Sequence, residues 1–279
     1  MRNTRLRRHR SASAFRRIAA VAWDAPREPN MYGTVMVRAD PLLAWLEAHN
    51  ARQDGPKVTV SHCVARAVAM TLGRHPDANA MVRWGRLYLR EDVDLFLEVL
   101  VPPPEGAGVG EADLHGVTVR QADRKTVDAI AQEVAAAADR IRGGADPDFE
   151  RTRAEARLLP APVMRRALRL VEFLQYGLNL DTSILGAARD PFGSAHVSNV
   201  GSMGLRVGYS PLFPLARAPI VIVVGEVHEA VAPVDGAPAI IRQLPLNATC
   251  DHRVVDGYHM AVMAKEVQAL LENPERLGA

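Results

Sequence analysis

Close to its C-terminus the chain runs from the strand-forming stretch Leu246–Cys250 into Asp251-His252-Arg253-Val254-Val255-Asp256-Gly257. From Tyr258 to Leu271 an amphipathic pattern follows, carried by Met260, Val262, Met263, Val267 and Leu270. This order predicts a strand that delivers His252 into a tight turn, with Asp256 held nearby and a closing helix ended by Asn273-Pro274. Gly257 lets the turn adopt backbone angles that a larger residue resists. On these residues alone two readings stand: a histidine poised for proton transfer, or a buried histidine capped by a turn aspartate.

The rest of the chain alternates strands and helices. The residues Tyr32–Ala39 alternate as a strand, Asp40-Pro41 opens a helix through His49, and Ser61 is a candidate N-cap for an apolar helix ending at Arg74-His75-Pro76. Arg86–Arg90 and Val93–Val101 read as strands joined at Glu91-Asp92, and the proline-rich stretch Pro102–Gly110 as a loop. A strand at Gly116–Arg120 precedes a helix capped by Thr126, which runs through Ile141 and stops at Gly143-Gly144. Ile220–Gly225, Ala239–Leu244 and Leu246–Cys250 are further strands, with a turn over Pro233–Pro238. With 279 residues and 48% hydrophobic composition, this is one large domain with a sizeable core. We expect an α/β (α+β) fold with a mixed central sheet flanked by helices.

The net charge of +2 hides an N-terminal arm with Arg2, Arg5, Arg7, Arg8, Arg10, Arg16 and Arg17 and no acid before Asp24. The expectation is a disordered basic arm over residues 1–14, ahead of a transit peptide or a contact with nucleic acid or anionic lipid. No apolar stretch reaches membrane-spanning length and no signal-peptide pattern is present, which predicts a cytoplasmic protein. Cys63 and Cys250 lie too far apart in sequence to suggest a disulfide framework or a structural zinc site, and no metal site is expected. In an alternating strand Cys250 shares a face with His252, yet a buried thiol packs well without chemistry.

Three segments together carry a resemblance to a known family. The heptad Asp251–Gly257, the segment His75-Pro76-Asp77-Ala78-Asn79-Ala80 and the run Gly193–Gly204, containing Ser198-Asn199-Val200-Gly201, resemble the acyltransferase (E2) components of 2-oxo acid dehydrogenase complexes. The catalytic domain of that family shares its fold with chloramphenicol acetyltransferase. The resemblance spans Phe15 to Arg276, interrupted by the longer proline loop and by an insertion, Ala145 to Pro191, absent from ordinary E2 domains. In that insertion Val163, Met164, Ala167, Leu168, Val171, Leu174 and Leu178 recur at helical spacing, with Arg165, Arg166 and Arg169 mostly opposite. We expect this helix to pack on its own domain or a neighbouring subunit, with a lid and a membrane-surface helix as alternatives.

The resemblance implies acyl transfer between coenzyme A, a substrate here, and a thiol acceptor of the dihydrolipoamide or carrier-borne kind. A neutral imidazole, titrating near pH 6.5, suits removal of a thiol proton, so His252 is the expected general base. Ser198 is the expected hydroxyl donor to the oxyanion, and Asp256 the expected orienter, pairing with Arg16, Arg17 or Arg253. Gly257, Asn199 and Gly201 complete the expected site, while His196 and His259 are read as structural. The resemblance further implies a homotrimer whose site takes Ser198 from one subunit and His252 from the next. No lipoyl module or subunit-binding module is read in the chain, so a separate lipoyl-bearing or other acyl-carrier partner is expected. Because the chain end lacks an apolar tail, assembly is expected to stop at the trimer. The alternatives are an O-acyltransferase acting on a small molecule, like chloramphenicol acetyltransferase, and a catalytically inactive structural relative.

Overall fold

These runs assemble into two sheets in the computed structural model, which describes residues 3–8, 29–101, 113–145, 160–183, 188–234 and 236–278. In chain order the strands are β1 (Leu6–Arg8), β2 (Asn30–Arg38), β3 (Ala80–Arg83), β4 (Arg86–Arg90), β5 (Leu95–Val101), β6 (Asp113–Val119), β7 (Ala195–Asn199), β8 (Ile220–Val224), β9 (His228–Val234) and β10 (Ala237–Asp251). The helices are α1 (Asp40–Asn50), α2 (Val60–Arg74), α3 (Val127–Arg142), α4 (Ala161–Glu172) and α5 (Gly257–Glu272). The large sheet has the order β2-β10-β8-β7-β5-β6, with β9 paired to the first half of β10; the small one is β1-β4-β3. Among the described strands only β5–β7 and β7–β8 are parallel, so the central sheet is mixed as expected.

Alternation along the strands divides the large sheet into two unlike faces. Leu95, Leu97, Val197, Leu246 and Cys250 point into the core, which α2, α3 and α5 cover with Val64, Val68, Ile130, Met263 and Leu270. Thr34, Asn247, Val223 and Ser198 are cross-strand neighbours in a row on the opposite face, where His196 also lies. There Thr34 donates to Asn247 Oδ1 at 2.8 Å, and Tyr209 and Thr34 share a hydroxyl contact of 2.5 Å.

Several sequence expectations change. The chain from Ala239 to Cys250 is one strand, not two, despite Pro245 inside it. Pro245 sits where β10 leaves β9, whose pairing ends at Gln243, and joins β8, whose pairing starts at Leu246. A missing N–H costs little at that switch. β4 and β5 belong to different sheets, and β3, β9 and the hairpin turn at Trp84-Gly85 were not anticipated. The N-cap of α2 is Thr59 rather than Ser61, with His62 closing the capping box. Within the arm expected to be disordered, Leu6–Arg8 pair as β1 with β4. Asn3 is buried and donates to the Gln175 carbonyl at 3.2 Å, while Asn179 reaches the Thr4 carbonyl at 2.7 Å. The remainder of that arm lies outside the described residues, as do the lead-in Phe15–Trp23 and the proline loop.

The helix foreseen in the 145–191 segment exists as α4, and a π-helical turn, Phe173–Gly177, continues it. Its far end is anchored: Asp190 pairs with buried Arg90 and accepts from the Tyr176 hydroxyl at 3.0 Å. The helix itself is not packed down within one chain. Leu170 is 58% exposed, and Val163 and Leu168 are nearly as open.

Candidate active site

The heptad is a turn built by its two acids. Asp251 ends β10 and holds the Arg253 guanidinium at 2.7 to 3.1 Å while its carboxylate also accepts from the Arg253 backbone N–H. Val254 and Val255 both donate to the Asp251 carbonyl at 2.9 Å and bury their side chains in the core. His252 is thus pinned between a clamped arginine and two core anchors, and its own N–H donates to the Pro29 carbonyl at 2.7 Å. Asp256 caps α5, accepting from the His259 N–H at 2.9 Å and meeting the His259 ring nitrogen Nδ1 at 2.5 Å. Of the three candidate partners for Asp256, Arg253 bonds the Asp251 carboxylate, while Asp256 engages His259. The other two candidate partners, Arg16 and Arg17, lie outside the described residues. Gly257 is the exposed first residue of α5.

Ser198 stands on β7, where the strand approaches its C-terminal end, and lines a cavity of about 570 Å³. Crevices beyond the C-terminal ends of parallel strands are the usual ligand sites of such sheets. Asn199 braces this corner, donating to Ser61 Oγ at the start of α2 (2.8 Å) and accepting from the Ser202 N–H (3.1 Å). Gly201 is required there by space: a Cβ would stand 2.3 Å from the Gly225 carbonyl oxygen.

Sequence reasoning did not single out His62, which lines the same cavity as Ser198. Its Nδ1 accepts from the Thr59 N–H at 3.2 Å, which leaves the neutral ring's proton on Nε2. Burial pushes its pKa down to about 4, so at neutral pH it is an uncharged donor. The available signal was the Thr59-x-x-His62 spacing of a capping box, with histidine where Glu or Gln is usual. His196, read as structural, is packed against Phe96 and Phe192, and burial together with Arg90 lowers its pKa to about 4. Burial raises the Cys250 thiol to about 12, which keeps it protonated and unreactive at neutral pH.

One chain does not bring His252 and Ser198 together. Ser198 pairs through Val223 to Asn247, five residues from His252 and two strands across. At about 3.3 Å per residue and about 4.8 Å per strand, the two lie on the order of 20 Å apart.

Known proteins resemble this chain at three levels. The family model described as 2-oxoacid dehydrogenases acyltransferase (catalytic domain) matches residues 8–147 and 192–279. Component 3 of the dihydrolipoyllysine-residue acetyltransferase of the mitochondrial pyruvate dehydrogenase complex of Arabidopsis thaliana is 24% identical over 273 residues, 95% of this chain and 41% of that protein. The corresponding component of Dictyostelium discoideum is 23% identical over 250 residues, 89% of this chain and 32% of that protein. The chain thus spans about two fifths or less of the length of these relatives. Among solved structures, a probable dihydrolipoamide acetyltransferase from Listeria monocytogenes 4b F2365 superposes with TM-score 0.64 at 15% identity, covering 95% of this chain and 89% of that one. The dihydrolipoamide acetyltransferase of Azotobacter vinelandii, studied for the roles of a serine, a histidine and an asparagine in its catalytic mechanism, also gives 0.64, at 19% identity, covering 90% and 84%.

Proposed function

The chain belongs to the 2-oxoacid dehydrogenase acyltransferase (catalytic domain) family, and from that premise we propose that it transfers an acyl group between coenzyme A and a thiol acceptor. The acceptor is dihydrolipoamide-like or carrier-borne, and a lipoyl-bearing partner would present it. The sulfur of the acceptor thiol attacks the thioester carbonyl carbon while its proton passes to His252. The tetrahedral intermediate then expels the second sulfur, which takes that proton back as its carbon–sulfur bond breaks. Ser198, and the Nε2–H of His62 in the same cavity, are the donors that a developing oxyanion needs.

The observation that carries this reading is the separation of base and donor. A histidine fixed in a turn and a serine opening on a 570 Å³ cavity, on the order of 20 Å apart in one chain, become one site only where two copies meet. We therefore propose a homotrimer in which each site takes His252 from one subunit and Ser198 from its neighbour. The test is release of free coenzyme A from a panel of acyl-coenzyme A thioesters, with dihydrolipoamide or small alcohols as acceptor. Turnover with the dithiol that disappears in His252→Ala supports the proposal. Turnover only with alcohols points instead to an O-acyltransferase, and none with any acceptor to a structural relative.

A further inference from the structure

A second cavity, about 250 Å³, lies between β2, β10 and β8 below and α2 and α5 above. We infer that it receives the acyl chain of the thioester, an inference that rests on the acyl-transfer reading above. Among the described residues that line it none is charged, so it suits neither the phosphates nor the adenine-bearing part of coenzyme A. At about 250 Å³ it also falls below the roughly 300–1,000 Å³ of pockets that hold whole drug-sized ligands. Its size and lining fit a short apolar group, which here is the acyl chain.

Its position ties it to His252. Cys250 forms part of the floor and Gly257 part of the rim, so the turn that holds His252 begins and ends at this cavity. The rim residues Gly257 and Ala261 are exposed, which opens the mouth beside the first turn of α5. Gly33 on the edge strand sets the width of the entrance: a Cβ there would stand 2.6 Å from Met260 Sδ. Met260 and Met263 line the roof, and unbranched thioether side chains adapt to occupants of different length. Thr71, 2% exposed and part of the same wall, has a buried hydroxyl with no hydrogen-bond partner, which sets this space apart from a purely apolar packing void. Within the proposed trimer the two cavities take different ends of the thioester. The Ser198 cavity of one subunit holds the coenzyme A arm, and the cavity beside His252 of the next holds the acyl chain.

Each buried methylene strengthens binding about fourfold, so chain length is the readout. Calorimetric titration of the full chain with coenzyme A, acetyl-coenzyme A and hexanoyl-coenzyme A needs no turnover. The expected result is hexanoyl-coenzyme A binding about tenfold or more tighter than acetyl-coenzyme A, with Ala264→Phe removing that preference while acetyl-coenzyme A still binds. Ala261→Leu, a change at an exposed position on the rim, should reduce the same preference and keeps the test readable if Ala264→Phe does not fold. Equal affinity for the two thioesters, or a preference that persists in the folded variants, overturns the inference and leaves acyl transfer standing. Failure to bind any of the three overturns both.

Discussion

At the scale of single residues, the proposal separates side chains that act from side chains that hold. His252→Ala should lower acyl transfer by roughly 100-fold or more, the usual contribution of a positioned base, and Ser198→Ala by a similar factor with little change in stability. Asp256→Ala removes a helix cap and should cost about 1 kcal/mol in chemical denaturation. If the carboxylate only caps α5, kcat should stay near that of the parent. Buried histidines give the fold an acid sensitivity of their own. His62 and His196 are held neutral down to about pH 4, against 6.5 when exposed, so below pH 6.5 the unfolded chain takes up protons that the folded chain refuses. Stability should therefore fall as pH drops from 6.5 towards 4, by at most about 1.4 kcal/mol per pH unit for each ring. His196→Phe keeps the aromatic packing and should flatten that dependence, read as urea midpoints at pH 7 and pH 5. His252 and Ser198 were singled out as candidates because each stands in a run of residues with distinctive spacing. His62 was not, because a histidine inside a helix pattern looks like any other helical residue until the cavity beside it is seen.

At the scale of elements, the corner after β7 depends on two backbones touching. Gly201→Ala would drive a Cβ to 2.3 Å from the Gly225 carbonyl, so β7 must part from the turn beyond β8. The expected outcome is a loss of several kcal/mol, on the scale of overpacking, together with loss of transfer activity. The Arg90–Asp190 pair, buried from solvent, fastens the segment around α4 to the small sheet, and Asp190→Ala should cost about 3–5 kcal/mol by stranding the arginine. Helices with clear caps and stops were legible: Thr126 accepts from the Ala129 N–H as anticipated, and Gly143 ends α3. What escaped is pairing between segments distant in sequence. Nothing local in Arg86–Arg90 says that its partners are Leu6–Arg8 and Ala80–Arg83 rather than the next strand. Nor does Pro245 reveal that a strand can run through it, since that depends on where β9 stops and β8 begins.

At the scale of the whole molecule, the proposed division of one site between two copies makes a prediction that no single-chain enzyme would meet. His252→Ala and Ser198→Ala, each nearly inactive alone, should recover roughly a quarter of parental activity when unfolded and refolded together in equal amounts, because random assembly pairs an intact His252 with an intact Ser198 at that frequency. No recovery, with mixed oligomers confirmed by mass, would count against the shared site. The strand order has a further consequence, for synthesis. β2 is the first strand of the large sheet to be made, yet its partner throughout is β10, some two hundred residues later, and β10 also closes against β8 and β9. A growing chain therefore carries an unpaired edge until its last part has left the ribosome, and loop closure over such a span is slow. A product truncated before residue 237 would lack β10 and His252 together, so interrupted synthesis leaves no part of the turn that carries His252, only a sheet whose β2 has lost its partner.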